Sequence, residues 1–228
     1  MKVNFLKPWA YLAVFAVVLG SCTESVDEEP VLELTQEVAE PSYEQALGVW
    51  QELDQEAGNP FGLRLAGNFN YFEISRNQLF FIPGEGYQGG PAPGFYPGTG
   101  TGSATRMGRS NSFLNQFAFF EGQELVTVGA PVSAVFGEEL AALGIENVPD
   151  EVSSLTVDKK GNSIWFKNVK NTVTPVSETL SSFIAEVEIV GGTGRFARLR
   201  GTGIVRGNFN PTNGEGRSVT MANLKNGK

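Results

Sequence analysis

Few side chains in this sequence could carry out acid–base or metal chemistry. The chain has no histidine and a single cysteine, Cys22, which excludes histidine-based triads, imidazole ligands and intramolecular disulfides. A carboxylate is the remaining candidate. Glu73 lies on the same face of a predicted strand as Phe69 and Tyr71, and burial there would raise its pKa. The alternative is a solvated Glu73 near a strand end. The sequence predicts no catalytic residue, no metal site and no cofactor.

Two adjacent amides interrupt an otherwise apolar segment. Asn115 and Gln116 lie within SFLNQFAFF, which is predicted to be a strand. Successive strand side chains face opposite sides, so one of the two amides must point inward and needs a hydrogen-bond partner there. We expect a core amide with internal partners. The alternative is a polar contact to a ligand in a pocket.

Three aromatic side chains, Tyr87, Phe95 and Tyr96, lie in a stretch rich in glycine and proline over residues 84–102. This composition predicts a long loop, and long loops in compact domains are often functional. The aromatic side chains could stack on a sugar or close the mouth of a barrel. The alternative is an ordered surface loop whose aromatic side chains pack on the domain.

The segments that must position these side chains alternate with a period of two. The clearest pair, residues 182–190 and 196–206, flanks the motif GGTGRF, whose glycines predict the turn of a β-hairpin. Odd-numbered residues form the apolar face of both strands, so the even-numbered face is predicted to be wet. The glycines do not open a helix, which argues against a nucleotide-binding loop. The turn motif consists of Gly191, Gly192, Gly194, Arg195 and Phe196.

The two apolar faces also constrain the register of this hairpin. A five-residue loop over residues 191–195 places Glu188 opposite Arg198 and Glu186 opposite Arg200. Cross-strand ion pairs of this kind contribute roughly 0.2–1 kcal/mol each. The sequence therefore predicts two ion pairs on the wet face of the hairpin.

Similar short segments recur along residues 61–228, with one helical turn predicted at residues 137–143. Their number indicates an all-β domain, a closed or nearly closed antiparallel barrel of about eight strands with little helix. Barrels of this size are either filled by side chains or hold one small ligand. The further predicted strands are 63–74, 78–82, 103–108, 112–120, 124–128, 154–158, 163–166 and 217–223.

Residues 1–21 have the pattern of a secretory signal, with Lys2 and Lys7 before an apolar run. The sequence LGSC, ending at Cys22, resembles a bacterial lipobox, which implies cleavage before Cys22 and lipid attachment to it. The alternative is a plain signal peptide followed by an unmodified cysteine. Residue 23 is Thr rather than Asp, so we expect an outer-membrane lipoprotein anchored through acylated Cys22. The acidic stretch 25–29 resembles an export signal to the cell surface.

Residues 22–60 contain eleven acidic residues and no Lys or Arg. This composition predicts a disordered tether. Within it YEQALGVWQELDQ has apolar residues at helical spacing, which predicts a short helix packed on the domain. Residues 61–228 carry fifteen basic and fourteen acidic residues, so nucleic acid is not an expected partner. The apolar positions of the predicted helix are Ala46, Leu47, Val49, Trp50 and Leu53.

Two motifs carry a family resemblance. EIVGGTGRFARLRGTG resembles the hairpin shared by the allene oxide cyclase barrel superfamily and the dirigent proteins, and GTGSATRMGRS, residues 100–110, resembles a second strand motif of secreted bacterial members. The resemblance implies a closed eight-stranded barrel, often oligomeric, with a cavity for a hydrophobic small molecule. Members of the family rearrange a fatty-acid epoxide or steer phenoxy-radical coupling, but only the turn motif can be matched here residue by residue. Members commonly continue the motif with Ala-Gly and a small residue, whereas Ala197, Arg198 and Leu199 follow Phe196 here, so two of these three positions are bulkier.

Three functions remain open at this point. The first, which we favour, is a non-catalytic, lipid-anchored barrel that binds a small hydrophobic ligand or a surface partner. The second is an enzyme of the cyclase or isomerase type that acts through a shaped pocket. The third is a structural or adhesive surface protein with a filled barrel. A homo-oligomer is compatible with each of them.

Overall fold

The computed structural model describes residues 38–58 and 68–227. The predicted signal peptide, Cys22 and the first part of the acidic segment lie outside these residues. Within them the chain forms two α-helices, α1 (Tyr43–Glu56) and α2 (Ser133–Ala142), and twelve strands. The strands are β1 (Tyr71–Leu79), β2 (Ile82–Pro83), β3 (Gly94–Phe95), β4 (Gly98–Ala104), β5 (Gly108–Leu114), β6 (Gln116–Glu121), β7 (Glu124–Gly129), β8 (Ser154–Asp158), β9 (Ser163–Ser177), β10 (Leu180–Gly192), β11 (Leu199–Phe209) and β12 (Glu215–Asn226).

Eight of the strands form a closed antiparallel barrel, which confirms the predicted fold class. The order around the ring is β1-β4-β5-β8-β9-β10-β11-β12, and pairing of β12 with β1 closes it. The short strands β2, β3, β6 and β7 pair in that order and extend one end of the barrel. The long β9 therefore pairs with β8 through its first half and with β7 through its second half.

The region predicted as one long loop, residues 84–102, contains strand structure. Strand β3 lies within it, and Gly98 begins β4, so the prediction was wrong for its second half. The glycines that suggested a loop instead allow β4 to lie close against β1. A Cβ atom on Gly102 would collide with the backbone carbonyl of Ile74, so the strand needs glycine for contact rather than for a turn.

The hairpin of β10 and β11 has a register that differs from the predicted one. Glu188 lies opposite Thr202 and Glu186 opposite Ile204, so the predicted pairs with Arg198 and Arg200 are wrong by four residues. The physical reason is that Gly194–Phe196 form a turn of 3₁₀-helix, and β11 begins only afterwards at Leu199. The shift is an even number, so odd-numbered residues still face inward, as the alternation predicted.

The turn motif closes one end of the barrel. Phe196, which was predicted to lie on the wet face, is only 1% exposed and packs with Ile189 and Leu199. Because the 3₁₀ turn folds Phe196 back over this end, its side chain joins the barrel core. The other members of this core cluster are Tyr71, Ala104, Met107, Ile164, Phe166, Val187, Ala222 and Leu224.

Helix α1 packs on the outside of the barrel, as its apolar spacing predicted. Its first turn is fixed by a capping box, in which Ser42 and Gln45 bond to each other's backbone N–H. Ala46, Trp50 and Leu53 are buried against the outer face of β1 and β12. The short helix within the acidic segment therefore stabilises the barrel through an apolar contact.

This helix also covers part of the face that was predicted to be wet. Arg206 is completely buried, with its Nε donating a 2.8 Å hydrogen bond to Asp54 of α1. Its Nη1 donates to the backbone carbonyl of Phe183 at 2.9 Å. Ile184 and Ile204 pack on the cluster beneath the helix. The prediction of a solvated face was wrong here. A period of two shows that the two faces of a strand differ, but it does not show that helix α1 covers the outer one.

Helix α2 corresponds to the helical turn predicted at residues 137–143, but it begins earlier. Phe136 and Leu140 are its buried side chains, and they pack against Phe113 of β5 and Leu155 of β8. This second outer cluster holds the connection between β7 and β8 against the barrel wall.

Candidate ligand-binding site

The barrel contains a cavity of about 520 Å³. Its lining includes Glu178, Pro211 and Pro91, which lie in connections at one end of the barrel, whereas Phe196 and its neighbours fill the other end. The cavity therefore extends from a closed floor towards the end that β2, β3, β6 and β7 extend. Its apolar walls are formed mainly by Leu114, Leu125, Phe166, Val173, Phe183, Ala185, Val187, Val205 and Phe209.

A buried carboxylate lies at the floor of this cavity. Glu73 of β1 is 6% exposed and accepts hydrogen bonds from Tyr71 Oη at 2.8 Å and Ser75 Oγ at 3.1 Å. Thr156 of β8 donates across the barrel, with its Oγ1 2.9 Å from both carboxylate oxygens. Glu73 therefore points into the barrel and is not a solvated residue near a strand end. The structure adds Thr156, which lies 83 residues further along the chain and which sequence reasoning had not connected to Glu73.

Burial raises the pKa of Glu73, because removal from water disfavours the charged carboxylate, although the three hydroxyl donors partly oppose this. Burial, together with the charge of Glu73, also raises the pKa of Tyr71 well above its ordinary value. The carboxyl group at the floor of the cavity therefore keeps its proton to a higher pH than an exposed glutamic acid does.

A second polar group, here called the amide cluster, lies on the wall formed by β6, β7 and β9. It consists of Gln116, Thr127, Asn168 and Asn171, all of which line the cavity. Gln116 Oε1 accepts from Thr127 Oγ1 at 2.6 Å, and from the Nδ2 atoms of Asn168 and Asn171 at 2.9 Å each. One carbonyl oxygen therefore holds three side chains in place.

The two asparagines of the amide cluster face the cavity because β9 contains a bulge. The register against β10 shifts so that Glu186 pairs with Lys170 and Val187 with Asn168. An extra residue in one strand reverses the alternation beyond it, so even-numbered residues line the cavity before the bulge and odd-numbered residues after it. Sequence reasoning missed both asparagines because the bulge hides the period of two, and the strand predicted at residues 163–166 was not extended to include them.

The adjacent amides Asn115 and Gln116 point in different directions, as expected for successive residues of an extended chain. Gln116 lines the cavity, whereas Asn115 is buried in the wall between β5 and β6. Asn115 Nδ2 donates to the carbonyl of Pro131 at 3.0 Å, and its backbone N–H donates to Ser153 at 2.8 Å. Asn115 is thus a structural core amide, and Gln116 is the amide available to a ligand.

The three aromatic residues of the Gly/Pro-rich region have different positions. Tyr96 lines the cavity and packs on Phe81, with ring centroids 5.1 Å apart. Tyr87 packs on the other side of the same Phe81, also at 5.1 Å, and its hydroxyl donates within the loop. Phe95 instead packs on Phe117 at 4.9 Å and is not part of the lining. Tyr96 is therefore the member that a ligand would touch.

The turn motif has a structural position away from the cavity. Arg195 forms an ion pair with Asp158 at 3.0 Å and lies over the Phe196 ring. Burial alone would raise the pKa of Asp158, but hydrogen bonds from Asn162 and Lys160 and the charge of Arg195 lower it. The motif thus joins the β8–β9 turn to the β10–β11 turn at the closed end.

The charge of the cavity lining is one-sided. The charged residues among the lining side chains are Glu73 at the floor and Glu178 at the open end, and the lining contains no Lys or Arg in the part of the chain that the structure describes.

Over residues 38–58 and 68–227, no group of three or more His, Cys, Asp or Glu is placed to hold a metal ion. Within the same ranges, no helix is long and apolar enough to cross a membrane.

Comparison of the chain with protein-family models, with curated proteins and with solved structures gives no match. The geometry and chemistry of the cavity are therefore the basis for assigning a function to the protein.

Proposed function

We propose that this protein is a lipid-anchored barrel of the bacterial cell envelope that binds a small hydrophobic ligand in its cavity. The observation that carries the proposal is the cavity itself, about 520 Å³ in volume and mostly apolar, with a few convergent polar side chains. Small-molecule sites have volumes of about 300 to 1,000 Å³ and this same mixture of linings. A barrel of eight strands is just wide enough for one such ligand.

The walls of the cavity provide the driving force for binding. Aromatic and aliphatic side chains line it on most sides, so an apolar ligand would be removed from water at about 25 cal/mol per Å² of buried apolar surface. The amide cluster and the carboxyl group of Glu73 would orient the polar part of the ligand. The protein would then act as a carrier or receptor for a molecule with poor solubility in water.

The remaining parts of the proposal come from the sequence. The lipobox-like LGSC supports acylation of Cys22, and Thr23 supports an outer-membrane location. The acidic segment would act as a tether, and its last part, helix α1, packs on the barrel. The two motifs that resemble the allene oxide cyclase and dirigent barrels support the same kind of ligand-holding interior. A surface partner or a homo-oligomer is compatible with this arrangement.

A second candidate function is an enzyme of the cyclase or isomerase type, and one observation favours it. Glu73 lies in the cavity, within hydrogen-bond distance of Tyr71 and Thr156, and its pKa is raised by burial. A carboxyl group in this position could exchange a proton with a ligand bound beside it. The third hypothesis, an adhesive protein with a filled barrel, is weakened because the described barrel contains a cavity.

The proposed function is tested by filling the cavity. Ala185 is buried in the wall formed by β10 and lines the cavity, so Ala185→Phe should occupy part of the space. We expect the affinity for a neutral apolar dye such as N-phenylnaphthylamine to fall at least about tenfold, which corresponds to roughly 1.4 kcal/mol. Ala141→Phe on the exposed side of α2 is the matched control. Unchanged dye binding by Ala185→Phe, in a variant with wild-type circular dichroism, would contradict a ligand site in the barrel.

A further inference from the structure

We infer that the cavity selects amphiphiles whose head groups donate hydrogen bonds, and that it discriminates against anionic lipids such as fatty acids. This inference rests on the proposed function and names the class of ligand. Two independent features of the lining carry it, namely its charge and the orientation of its amide groups.

The first feature is the lack of a positive charge. The charged side chains of the lining are both carboxylates, and neither Lys nor Arg lines the cavity in the described ranges. An anionic head group brought inside would lose its hydration without gaining a cationic partner, which is unfavourable in an apolar site. The hydroxyl groups nearest the floor, those of Tyr71, Ser75 and Thr156, already donate to Glu73. They are therefore not free to solvate an anion.

The second feature is a pair of amide oxygens without partners. Asn168 and Asn171 are 7% and 6% exposed, and each uses its Nδ2 atom to donate to Gln116 Oε1. In the described part of the chain, the Oδ1 atoms of both residues accept no hydrogen bond. Buried acceptors in this state are uncommon in native proteins and cost free energy. A hydroxyl or N–H group of a ligand is the chemistry that would satisfy them.

The orientation of these amides follows from the use of Gln116 Oε1 as their shared acceptor. Turning either asparagine over would place its Oδ1 beside Gln116 Oε1, so that two oxygens would face each other where a hydrogen bond exists now. With Gln116 in this orientation, the buried oxygens of Asn168 and Asn171 remain acceptors without a partner among the described residues. The amide cluster then favours head groups with donors, such as alcohols, glycerides and amides, over carboxylates and esters.

A series of decyl compounds that differ only in the head group tests this inference. Purified protein loaded with N-phenylnaphthylamine is titrated at neutral pH with decanol, monodecanoylglycerol, methyl decanoate and decanoate. We expect decanol and the monoglyceride to displace the dye at the lowest concentrations. We expect decanoate to be at least about tenfold weaker than decanol, since one unmet polar interaction is worth about this factor. Methyl decanoate should lie between them.

Two variants make the test specific to the lining. Asn171→Leu should reduce the preference for decanol over methyl decanoate, whereas the same substitution at the exposed Asn111 should not. Should Asn171→Leu fail to fold, Val205→Lys provides a second test. It places a cation in the lining and should bring decanoate to the affinity of decanol or better.

The outcomes separate the inference from the proposed function. If the dye binds but decanoate binds as well as decanol, the cavity is a ligand site without this selectivity and the inference is wrong. If neither the dye nor any decyl compound binds, the proposed function fails and the inference fails with it. The expected order, together with loss of the decanol preference in Asn171→Leu, supports both.

Discussion

Replacing Glu73 with Gln should change how the stability of the barrel depends on pH. Burial raises the pKa of Glu73 from the ordinary value of 4.5, so the folded protein keeps a proton that the unfolded chain has already released. Between 4.5 and the folded pKa, stability must therefore fall as the pH rises. Below 4.5 both states are protonated, and above the folded pKa both are ionised, so the contribution is constant on either side.

The size of the effect follows from the number of protons involved. One carboxyl group that differs by one bound proton changes the free energy of unfolding by about −1.4 kcal/mol per pH unit at most. In Glu73→Gln this slope is absent. The stability of the variant relative to the wild type should therefore rise with pH, by up to about 1.4 kcal/mol per unit across the window above 4.5. Contributions of all other groups are shared by the two proteins and cancel in the difference.

The measurement is urea denaturation of both proteins at half-unit steps from acid to neutral pH. Glu186→Gln, which removes an exposed carboxylate from strand β10, is the matched control for loss of one charge from the same barrel. A difference between Glu73→Gln and wild type that does not change with pH would refute the argument. So would a difference that falls as the pH rises, because that sign belongs to a carboxyl group stabilised in its charged form.

Three further predictions concern the turn, the outer helix and the anchor. Gly194→Val should destabilise the barrel by about 1–3 kcal/mol in urea denaturation, since Gly194 has a φ of +54° and a Cβ atom there would collide with Asn162; wild-type stability would show that this turn has no need of glycine. Asp54→Asn should cost about 2 kcal/mol, because it removes the carboxylate charge that accepts a hydrogen bond from the fully buried Arg206, and a loss below about 1 kcal/mol would show that this ion pair does not hold α1. Cys22→Ala should move the protein from the membrane fraction to the soluble envelope fraction, and an unchanged membrane fraction would contradict lipid anchoring.

The sequence predicted the barrel but not the details of its hairpins. Alternation along residues 182–190 and 196–206 correctly assigned the inward face, because that face depends only on parity. The register depended on the length of the turn, and the glycine-rich motif suggested five residues. The 3₁₀ turn that folds Phe196 into the core is a tertiary effect. The glycines alone do not indicate whether Phe196, the aromatic residue that follows them, will pack into the core.

The residues of the candidate site were harder to predict from the sequence than the fold was. Glu73 and Gln116 could be selected because each is a polar residue on an otherwise apolar strand face. Asn168 and Asn171 could not, since the bulge in β9 places them three residues apart on the same inner face. A spacing of three within a strand contradicts the period of two and resembles loop sequence. Knowing the partner strand is necessary to see that the two asparagines belong together.

The hydrogen bonds inside the cavity distinguish the two candidate functions. Glu73 is already held by three hydroxyl donors, with Thr156 shared between its two oxygens. A ligand that gave its proton to this carboxylate would compete with these three donors for its roughly four acceptor sites. The asparagine oxygens of the amide cluster, in contrast, have acceptor capacity that no described residue uses. A ligand gains most by placing its polar group there, while Glu73 organises the floor beneath it. This division of roles favours binding over catalysis as the function of the cavity.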